Sequence, residues 1–288
     1  MRFLLLFSFL LTCVYAFDVV MPEKAVANGK TALLEFEEQR GVTYESVALG
    51  QKKYTIFKHP SKSERYYVLL PVSYETKPQK KKIEIFYKES GVQKTKTVVL
   101  DVKDGEYEKE TLQVDGSKVT LSPEDKARAE KEYAEAMEIY KKTTPKTLVS
   151  SDFIVPLESK ITSDFGKARV YNGSLKSYHG GTDFRAAVGV PIIAANDGKV
   201  VLVQDRFYSG QSVIIDHGHG VYTCYFHMSK FHVQESQDVK KGEVIGLSGS
   251  SGRVSGPHLH FGVRIGGEQV DPLHFIALAN ENLLKGKQ

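Results

Sequence analysis

Alternation of apolar and polar residues dominates the first part of the chain and predicts β-strands. Short alternating runs, such as residues 83–87 (Ile-Glu-Ile-Phe-Tyr) and 98–102 (Val-Val-Leu-Asp-Val), are separated by polar turns such as Ser90-Gly91. A two-residue period places the apolar side chains of a strand on one face. The pattern therefore predicts an immunoglobulin-like β-sandwich over residues 17–118.

The period then changes to that of a helix. Ser122 is a suitable N-cap, Pro123 suits the first helical position, and two acidic residues follow it. The apolar residues that come next recur at helical spacing: Ala129, Tyr133, Ala136, Met137 and Tyr140. This pattern predicts a linking helix within residues 119–146, and we expect its apolar stripe to pack against a flanking domain.

The remaining residues, 147–288, again have the pattern of strands and are rich in glycine. The clearest strand-like segments are residues 199–207, 212–216, 221–228 and 257–265. The next helical pattern comes only at residues 275–284. The sequence thus predicts a mainly β chain with two β domains on either side of one helix.

The first sixteen residues have the pattern of a secretory signal peptide. A positive start is followed by the apolar residues 3–11, and Val14 and Ala16 occupy the −3 and −1 positions of a cleavage site. We therefore predict a signal peptide at residues 1–16 and a mature chain that begins near Phe17. Such a chain would be exported to the periplasm or the cell envelope.

Composition and charge exclude several classes of protein. The chain has 288 residues, 41% of them hydrophobic, and 39 Lys+Arg against 35 Asp+Glu give a formal charge of +4. So small an excess, without a basic motif interleaved with aromatic residues, argues against nucleic-acid binding. No apolar run in the mature chain approaches the roughly 18 residues of a transmembrane segment. Only Cys224 remains after removal of the signal peptide, so no internal disulfide is expected and Cys224 is interpreted as a core residue.

Histidines are concentrated in the C-terminal part, where seven of the nine lie between His179 and His260. In the segment His258-Leu259-His260, alternation along a strand places both imidazoles on one face, while Leu259 and Phe261 face the core. Two neighbouring imidazoles opposite a core face are difficult to explain by packing. An isolated His-x-His motif is nevertheless often incidental, so further ligands are needed to support a metal site.

His179 and Asp183 supply such ligands. The glycine pair between them disfavours a helix and places both on an extended segment. With one histidine of the 258/260 pair they offer two imidazoles and a carboxylate, a set that zinc favours. Three protein ligands leave one coordination position open, as in catalytic zinc sites. The spacing does not decide which histidine of the pair binds the metal.

His227 is a further candidate. It is predicted at the end of a strand, on the same face as Thr223 and Tyr225. His227 and the histidine of the 258/260 pair that does not bind metal could serve as general base and as donor to a developing oxyanion.

These motifs resemble those of the lysostaphin-type (LytM-domain) zinc metallopeptidases of bacterial cell walls. The resemblance runs from about residue 161 to residue 273 and is carried by residues 161–166 (Ile-Thr-Ser-Asp-Phe-Gly), 179–184 (His-Gly-Gly-Thr-Asp-Phe), 191–200, 215–218, 222–228, 249–261 and 270–273. It implies a LytM-type antiparallel β-sheet catalytic domain and one catalytic Zn²⁺. The ion would be held by His179, Asp183 and His260, with His227 and His258 as the catalytic pair. Gly262 departs from the family pattern, since many members have an acidic residue there.

The resemblance also implies a function. The expected protein is a peptidoglycan endopeptidase that hydrolyses amide bonds in peptide cross-links, with carboxypeptidase activity as an additional option. The D-alanyl–diaminopimelate bond is favoured over glycine bridges because no wall-binding module follows residues 147–288. The alternative is a non-hydrolytic LytM-type activator of wall amidases, which is disfavoured because every ligand and catalytic position is filled. The sequence identifies no protein partner and no oligomeric state.

Several other residues have open interpretations. His217, His219, His232 and His274 are expected at turns or on the surface, with a second metal site as the alternative. Arg253 is either a contact for a substrate carboxylate or an ordinary loop residue. Tyr171 and Tyr178 are candidate oxyanion donors. The linking helix and the first domain are candidates for covering the substrate groove.

Overall fold

The structure, a computed structural model, describes residues 17–112, 120–171, 173 and 175–286, without the side chains of residues 175 and 176. The predicted signal peptide lies outside the described residues. The chain is mainly β, as predicted, with a two-sheet sandwich followed by one long helix and a C-terminal β-sheet domain. Among the described residues, no helix is both long and apolar enough to cross a membrane.

The N-terminal sandwich contains nine strands: β1 (Val19–Val20), β2 (Ala25–Ala27), β3 (Thr31–Glu37), β4 (Val42–Leu49), β5 (Lys52–Tyr54), β6 (Phe57–Lys58), β7 (Arg65–Pro71), β8 (Gln79–Glu89) and β9 (Val92–Lys103). One sheet has the order β1-β3-β7-β6 and the other β2-β9-β8-β4-β5. Alternation determines which side chains are inside. In β8, Ile83 and Ile85 are fully buried, whereas Lys82 and Glu84 are exposed.

The sheet that contains β3 and β7 is buried on both faces. Leu34 belongs to the core between the two sheets, whereas its neighbour Leu33 packs into the core of the C-terminal domain. In β7, Leu70 and Leu69 divide in the same way. Strands covered on both sides have almost continuous apolar sequences, and residues 66–71 (Tyr-Tyr-Val-Leu-Leu-Pro) are one example. The sandwich and the C-terminal domain therefore share an extended apolar interface.

Thirteen strands, β10 to β22, build two further sheets. The strands are β10 (Lys109–Leu112), β11 (Ile161–Ser163), β12 (Ala168–Tyr171), β13 (Leu175–Tyr178), β14 (Thr182–Arg185), β15 (Pro191–Ile193), β16 (Gly198–Arg206), β17 (Gly210–Asp216), β18 (Val221–Phe231), β19 (Asp238–Val239), β20 (Val244–Ser248), β21 (His258–Ile265) and β22 (Glu268–Val270). The large sheet follows the order β11-β14-β21-β18-β17-β16-β19, with β15, β20 and β22 attached to it. A small sheet, β10-β12-β13, lies apart from it, and β10 pairs in parallel with β12.

Two helical segments complete the fold at its C-terminal end. Helix α2 (Pro272–Leu278) begins at Asp271, whose side chain accepts hydrogen bonds from the backbone of Leu273 and His274. A π-helix, Ala279–Leu284, continues directly from it. Both pack their apolar side chains against the core of the large sheet.

The predicted linking helix forms as α1 (Pro123–Tyr140), and Ser122 caps it by accepting a hydrogen bond from the backbone of Asp125. The helix packs on β16–β18, where Ala136 and Tyr140 meet Leu202, Ile214, Tyr222 and Cys224. The expectation that Tyr133 lies in the buried stripe is wrong, because its side chain is 62% exposed. Glu132 is buried instead, since its carboxylate accepts hydrogen bonds from Arg128 and from the backbone of Phe207.

A buried carboxylate at the interface between the two domains gives a prediction about acid stability. Glu35 is 2% exposed and forms ion pairs with Lys62 and Arg65, at 3.1 and 2.8 Å. Burial alone would raise the pKa of Glu35, but the neighbouring side chains of His59, Arg65 and Lys62 outweigh burial and lower it to about 2. A carboxylate whose pKa is lowered by folding stabilises the protein above its ordinary pKa and loses that effect as the pH falls.

We therefore expect Glu35→Gln to reduce the free energy of unfolding by about 3 kcal/mol at pH 7. The difference from the wild type should shrink between pH 4.5 and pH 2, as the wild-type carboxylate becomes protonated. Urea denaturation at a series of pH values measures both quantities. Glu37→Gln is the control, because Glu37 also pairs with Arg65 but its side chain is 62% exposed. A pH-independent difference for Glu35→Gln would contradict the prediction.

Candidate active site

The three proposed metal ligands lie together at one face of the large sheet. Asp183 in β14 and His260 in β21 are paired residues on adjacent strands, and His179 precedes β14. The Nε2 atom of His179 is 2.9 Å from Asp183 Oδ1 and 3.0 Å from His260 Nδ1. His260 Nδ1 is 2.8 Å from the same carboxylate oxygen. Among the described residues, these three are close enough together to bind one metal ion, since their ligand atoms all lie within 4.8 Å of one another.

The hydrogen bond made by His179 determines which nitrogen faces this cluster. Its Nδ1–H donates to the backbone carbonyl of Asp164 at 2.8 Å, so Nε2 carries a lone pair. Burial lowers the pKa of His260 to about 4, which keeps that imidazole neutral at ordinary pH. For Asp183, burial acts to raise the pKa, but hydrogen bonds to His179 and His260 outweigh it and hold the pKa well below its ordinary value.

Two imidazoles and a carboxylate thus converge on one point. Such a donor set, which is buried and has the ligand types that zinc prefers, fits a Zn²⁺ ion. Close packing around the cluster also explains a glycine in the motif. A Cβ atom on Gly181 would lie 2.5 Å from both His260 Nε2 and the carbonyl oxygen of Phe261, so no other residue fits without rearrangement.

His258 and His260 share a face of β21, as alternation predicts, and Leu259 and Phe261 are fully buried on the opposite face. His260 stacks on Phe226, with the two ring planes 4° apart. Helix α1 packs behind Phe226 in the same apolar cluster. The linking helix therefore supports the ring on which His260 stacks.

His227 lies in the interior of β18 rather than at its end, and its predicted orientation is wrong. Tyr225 points into the core, 5.5 Å from the ring of Phe261, whereas the ring of His227 lies 4.9 Å from that of His258. The cause is a β-bulge: the register of β18 shifts here, and His227 has a φ of 61°. The extra residue interrupts the alternation and turns His227 towards the three proposed metal ligands. The same shift places Met228 in the core of the large sheet, away from Cys224 and Phe226, which pack against helix α1.

One loop orients both His227 and His258. The loop between β20 and β21, residues 249–257, accepts a hydrogen bond from His227 Nδ1–H at the carbonyl of Ser251 and one from His258 Nδ1–H at the carbonyl of Gly256, each at 2.8 Å. The Nε2 atoms of both imidazoles therefore remain for chemistry. Burial, reinforced by His258 and His260, lowers the pKa of His227 well below its ordinary value, so His227 is neutral.

Residues that the sequence did not single out surround the carboxylate of Asp183. Arg169 of β12 donates to Asp183 Oδ2 at 3.0 Å and to Ser163 Oγ at 3.1 Å, and it also pairs with Glu110. Glu110 belongs to β10, which follows the N-terminal sandwich in sequence. No local motif marks these residues, because their contacts depend on the pairing of β10 with β12.

A cavity of about 290 Å³ opens over the site. The side chains that line it include Asp183, His227, His258, Arg169, Glu110 and Arg253. Arg253 lies over the rings of Tyr171 and Tyr208. Tyr178, the other candidate oxyanion donor, donates its hydroxyl to Gln269 and stacks on Tyr74 of the N-terminal sandwich.

The remaining histidines differ in their surroundings. His232 is exposed, as predicted. His217 lies at the turn between β17 and β18, as predicted, but it is only 1% exposed, because its two nitrogens bond the carbonyl of Asp197 and the hydroxyl of Thr223. His219 and His274 contact the N-terminal sandwich through Tyr67 and Glu23.

Cys224 is buried in the core, as predicted, and lies beside the Tyr140 hydroxyl. Burial raises its thiol pKa, which disfavours the reactive thiolate.

Comparisons with known proteins agree with this geometry. The family model described as Peptidase family M23 matches residues 177–272. Peptidoglycan DD-endopeptidase ShyA of Vibrio cholerae is 40% identical over 121 residues, which cover 41% of this chain and 28% of that protein. DD-carboxypeptidase/endopeptidase Mpg of Neisseria meningitidis is 43% identical over 95 residues, or 33% of this chain and 22% of that protein. The chain thus spans less than a third of the length of these curated relatives.

One solved structure is similar to this chain over a longer region than the sequence matches cover. A crystal structure of a Pseudomonas aeruginosa protein assigned to peptidase M23 aligns with a TM-score of 0.67 and 27% identity. The alignment covers 87% of this chain and 94% of that one, so it includes most of the N-terminal sandwich as well as the large sheet. The C-terminal part of the chain therefore contains a domain of peptidase family M23, the LytM type that its motifs resemble.

Proposed function

We propose that this protein is a zinc metalloendopeptidase that hydrolyses amide bonds in peptidoglycan cross-links. The observation that carries the proposal is the convergence of His179 Nε2, Asp183 and His260 Nδ1 beside two further imidazoles at one cavity. A binding protein that only activates amidases would have no need of this complete set. The division into a sandwich at 17–118, a linking helix at 119–146 and a catalytic domain at 147–288 is part of the proposal.

His179, Asp183 and His260 would hold the zinc ion. Bound zinc supplies two kinds of chemistry, since it lowers the pKa of water and polarises a carbonyl group. Arg169 holds Asp183 in place through the carboxylate oxygen that does not face the two histidines.

His227 and His258 would handle protons and charge. His227 is neutral, and its Nε2 lone pair can accept a proton from the attacking water. His258 Nε2 lies 3.6 Å from Asp183 Oδ1, on the same side of the cavity as the proposed ligands. When His258 carries a second proton, on Nε2, that nitrogen can donate a hydrogen bond to the oxyanion that develops as the amide carbon becomes tetrahedral.

The relatives named above support the substrate. ShyA carries the name of a peptidoglycan DD-endopeptidase, and Mpg that of a carboxypeptidase and endopeptidase. We infer that the bond cleaved here is the D-alanyl–diaminopimelate amide, with carboxypeptidase activity on related stems. The enzyme would then act outside the cytoplasmic membrane, in the periplasm or the cell envelope, consistent with a signal peptide at residues 1–16.

Digestion of a purified wall tests this proposal. The zinc-loaded chain from Phe17 onward is incubated with diaminopimelate-type peptidoglycan, and the products are identified by mass spectrometry. We expect cross-linked dimers to be converted to monomers by the wild type and not by His260→Ala. Intact dimers after treatment with folded, zinc-loaded wild type would overturn the proposed activity. Cleavage at another bond would correct the substrate alone.

A further inference from the structure

Among the described residues, one positive charge at the cavity over the site has no carboxylate partner. Four charged side chains line the cavity: Glu110, Arg169, Asp183 and Arg253. The first three are joined in ion pairs, with Arg169 between the two carboxylates. Arg253, by contrast, has no carboxylate within ion-pair distance among the described residues. An arginine that faces a cavity without a partner is a suitable binding group for an anionic ligand.

Two aromatic rings fix the position of this guanidinium group. Its central carbon lies 4.4 Å from the ring centroid of Tyr171 and 4.3 Å from that of Tyr208. The two tyrosines come from different parts of the domain, β12 and the turn between β16 and β17. Rings on the faces of a guanidinium hold it by cation–π contacts and leave the N–H groups at its edge available. Arg253 is thereby preorganised to form a pair of hydrogen bonds with a carboxylate.

The backbone connects Arg253 to the histidines of the site. Its N–H donates to the carbonyl of Tyr208 at 2.8 Å. Two residues earlier in the same loop, the Ser251 carbonyl accepts the hydrogen bond of His227. The Ser251 hydroxyl is fixed in turn, since it accepts from the backbone N–H of Gln211 and donates to the carbonyl of Met228. Any ligand of Arg253 is therefore held at a defined distance from His227.

The chemistry of the proposed substrate offers a carboxylate at a suitable place. In a D-alanyl–diaminopimelate cross-link, the carbon attached to the scissile nitrogen carries a free carboxylate. A stem that ends in D-alanyl-D-alanine has a carboxylate in the equivalent position, next to the nitrogen of its terminal amide. Recognition of this one group would serve both an endopeptidase and a carboxypeptidase reaction.

We propose that Arg253 binds the substrate carboxylate next to the scissile nitrogen and so makes this carboxylate a determinant of specificity. The proposal rests on the proposed function and deepens it. It also explains why Tyr171 and Tyr208 hold Arg253 in place. A mobile arginine would lose side-chain entropy on binding, and this loss would cancel much of the free energy gained from two hydrogen bonds to the carboxylate.

Two cross-linked peptide dimers that differ in a single group test the proposal. One has the carboxylate next to the scissile nitrogen, and in the other this group is a carboxamide. For zinc-loaded wild type, we expect kcat/KM to be about tenfold to a hundredfold higher for the carboxylate, the usual effect of a hydrogen-bonded charge. Arg253→Gln should lose this preference by slowing cleavage of the carboxylate dimer, with little change for the carboxamide. Arg253→Lys should keep a part of it, because lysine retains the charge but not the paired donors.

Binding of the amine product, whose carboxylate is free, gives a readout that does not depend on turnover. Its Kd should rise about tenfold or more in Arg253→Gln, whereas the zinc content stays unchanged. Arg40→Gln is the matched control, since Arg40 is exposed in the N-terminal sandwich. Arg185 is a second comparison, because it shares the face of β14 with Asp183.

The outcomes separate the two proposals. Wild type that cleaves neither dimer overturns the proposed function and this inference with it. Equal cleavage of both dimers by wild type, or an equal loss on both in Arg253→Gln, leaves the activity standing and overturns the role of Arg253. Loss of the preference in Arg185→Gln alone would assign the carboxylate to Arg185 and would likewise overturn the proposal.

Discussion

Replacement of Asp183 by asparagine is expected to remove zinc from the protein and to abolish cleavage of peptidoglycan. The substitution keeps the size of the side chain but removes the negative charge that both ligand histidines contact, at 2.9 and 2.8 Å. A neutral amide is a much weaker zinc ligand than a carboxylate. Because bound zinc provides several kcal/mol of stabilisation to the transition state, we expect activity to fall by on the order of 10³-fold or more.

Metal content and activity should be measured on the same preparations. Zinc per chain is determined after dialysis against a weak chelator, and cleavage is followed by loss of cross-linked dimers. Asp238→Asn is the matched control, because it makes the same chemical change in a side chain that is 80% exposed and pairs with Lys199 at the surface. If Asp183→Asn retained a full equivalent of tightly bound zinc, the assignment of this metal centre would be wrong.

The sequence predicts the parts of this site that follow the alternation of strands. His258 and His260 could be placed on one face because Leu259 and Phe261 had to face the core, and the structure confirms that division. The start of helix α1 at Ser122 is likewise predictable from the sequence, because an N-cap makes its hydrogen bond to a residue three positions along the chain. Tyr133 is exposed and Glu132 is buried, the reverse of what their polarity suggests. The carboxylate of Glu132 can be buried because it accepts hydrogen bonds from Arg128 and from the backbone of Phe207, which is distant in sequence.

The features that could not be predicted depend on contacts between distant segments. The bulge at His227 arises from the pairing of β18 with β17, and no glycine or other turn residue in the sequence indicates it. Arg169 contacts Asp183, and Glu110 reaches Arg169 through the pairing of β10 with β12. The apolar sequence of β7 does not show that one face of its sheet packs against the other domain.

Replacement of His227 by alanine is expected to give the second large effect, a loss of activity without loss of zinc. His227 is not one of the three converging ligands, so the zinc content should stay that of the wild type. Removal of a general base typically lowers the rate by about 10²–10⁴-fold, and we expect that loss in kcat rather than in KM. His232→Ala, at an exposed position, should change neither quantity. Loss of zinc in His227→Ala would make His227 a ligand and would contradict the proposed roles.

Backbone geometry permits a sharper form of this experiment. His227 has a φ of 61°, a conformation that is unfavourable for a residue with a side chain and that costs about 1 kcal/mol or more. Glycine adopts this conformation without strain. His227→Gly should therefore lose as much activity as His227→Ala while unfolding at a higher temperature than the alanine variant. Such a result would show that the strained backbone is retained because it directs this imidazole at His258 and the metal ligands. Equal unfolding temperatures would instead mean that the bulge imposes no strain and that its conformation is set by the pairing of β18 alone.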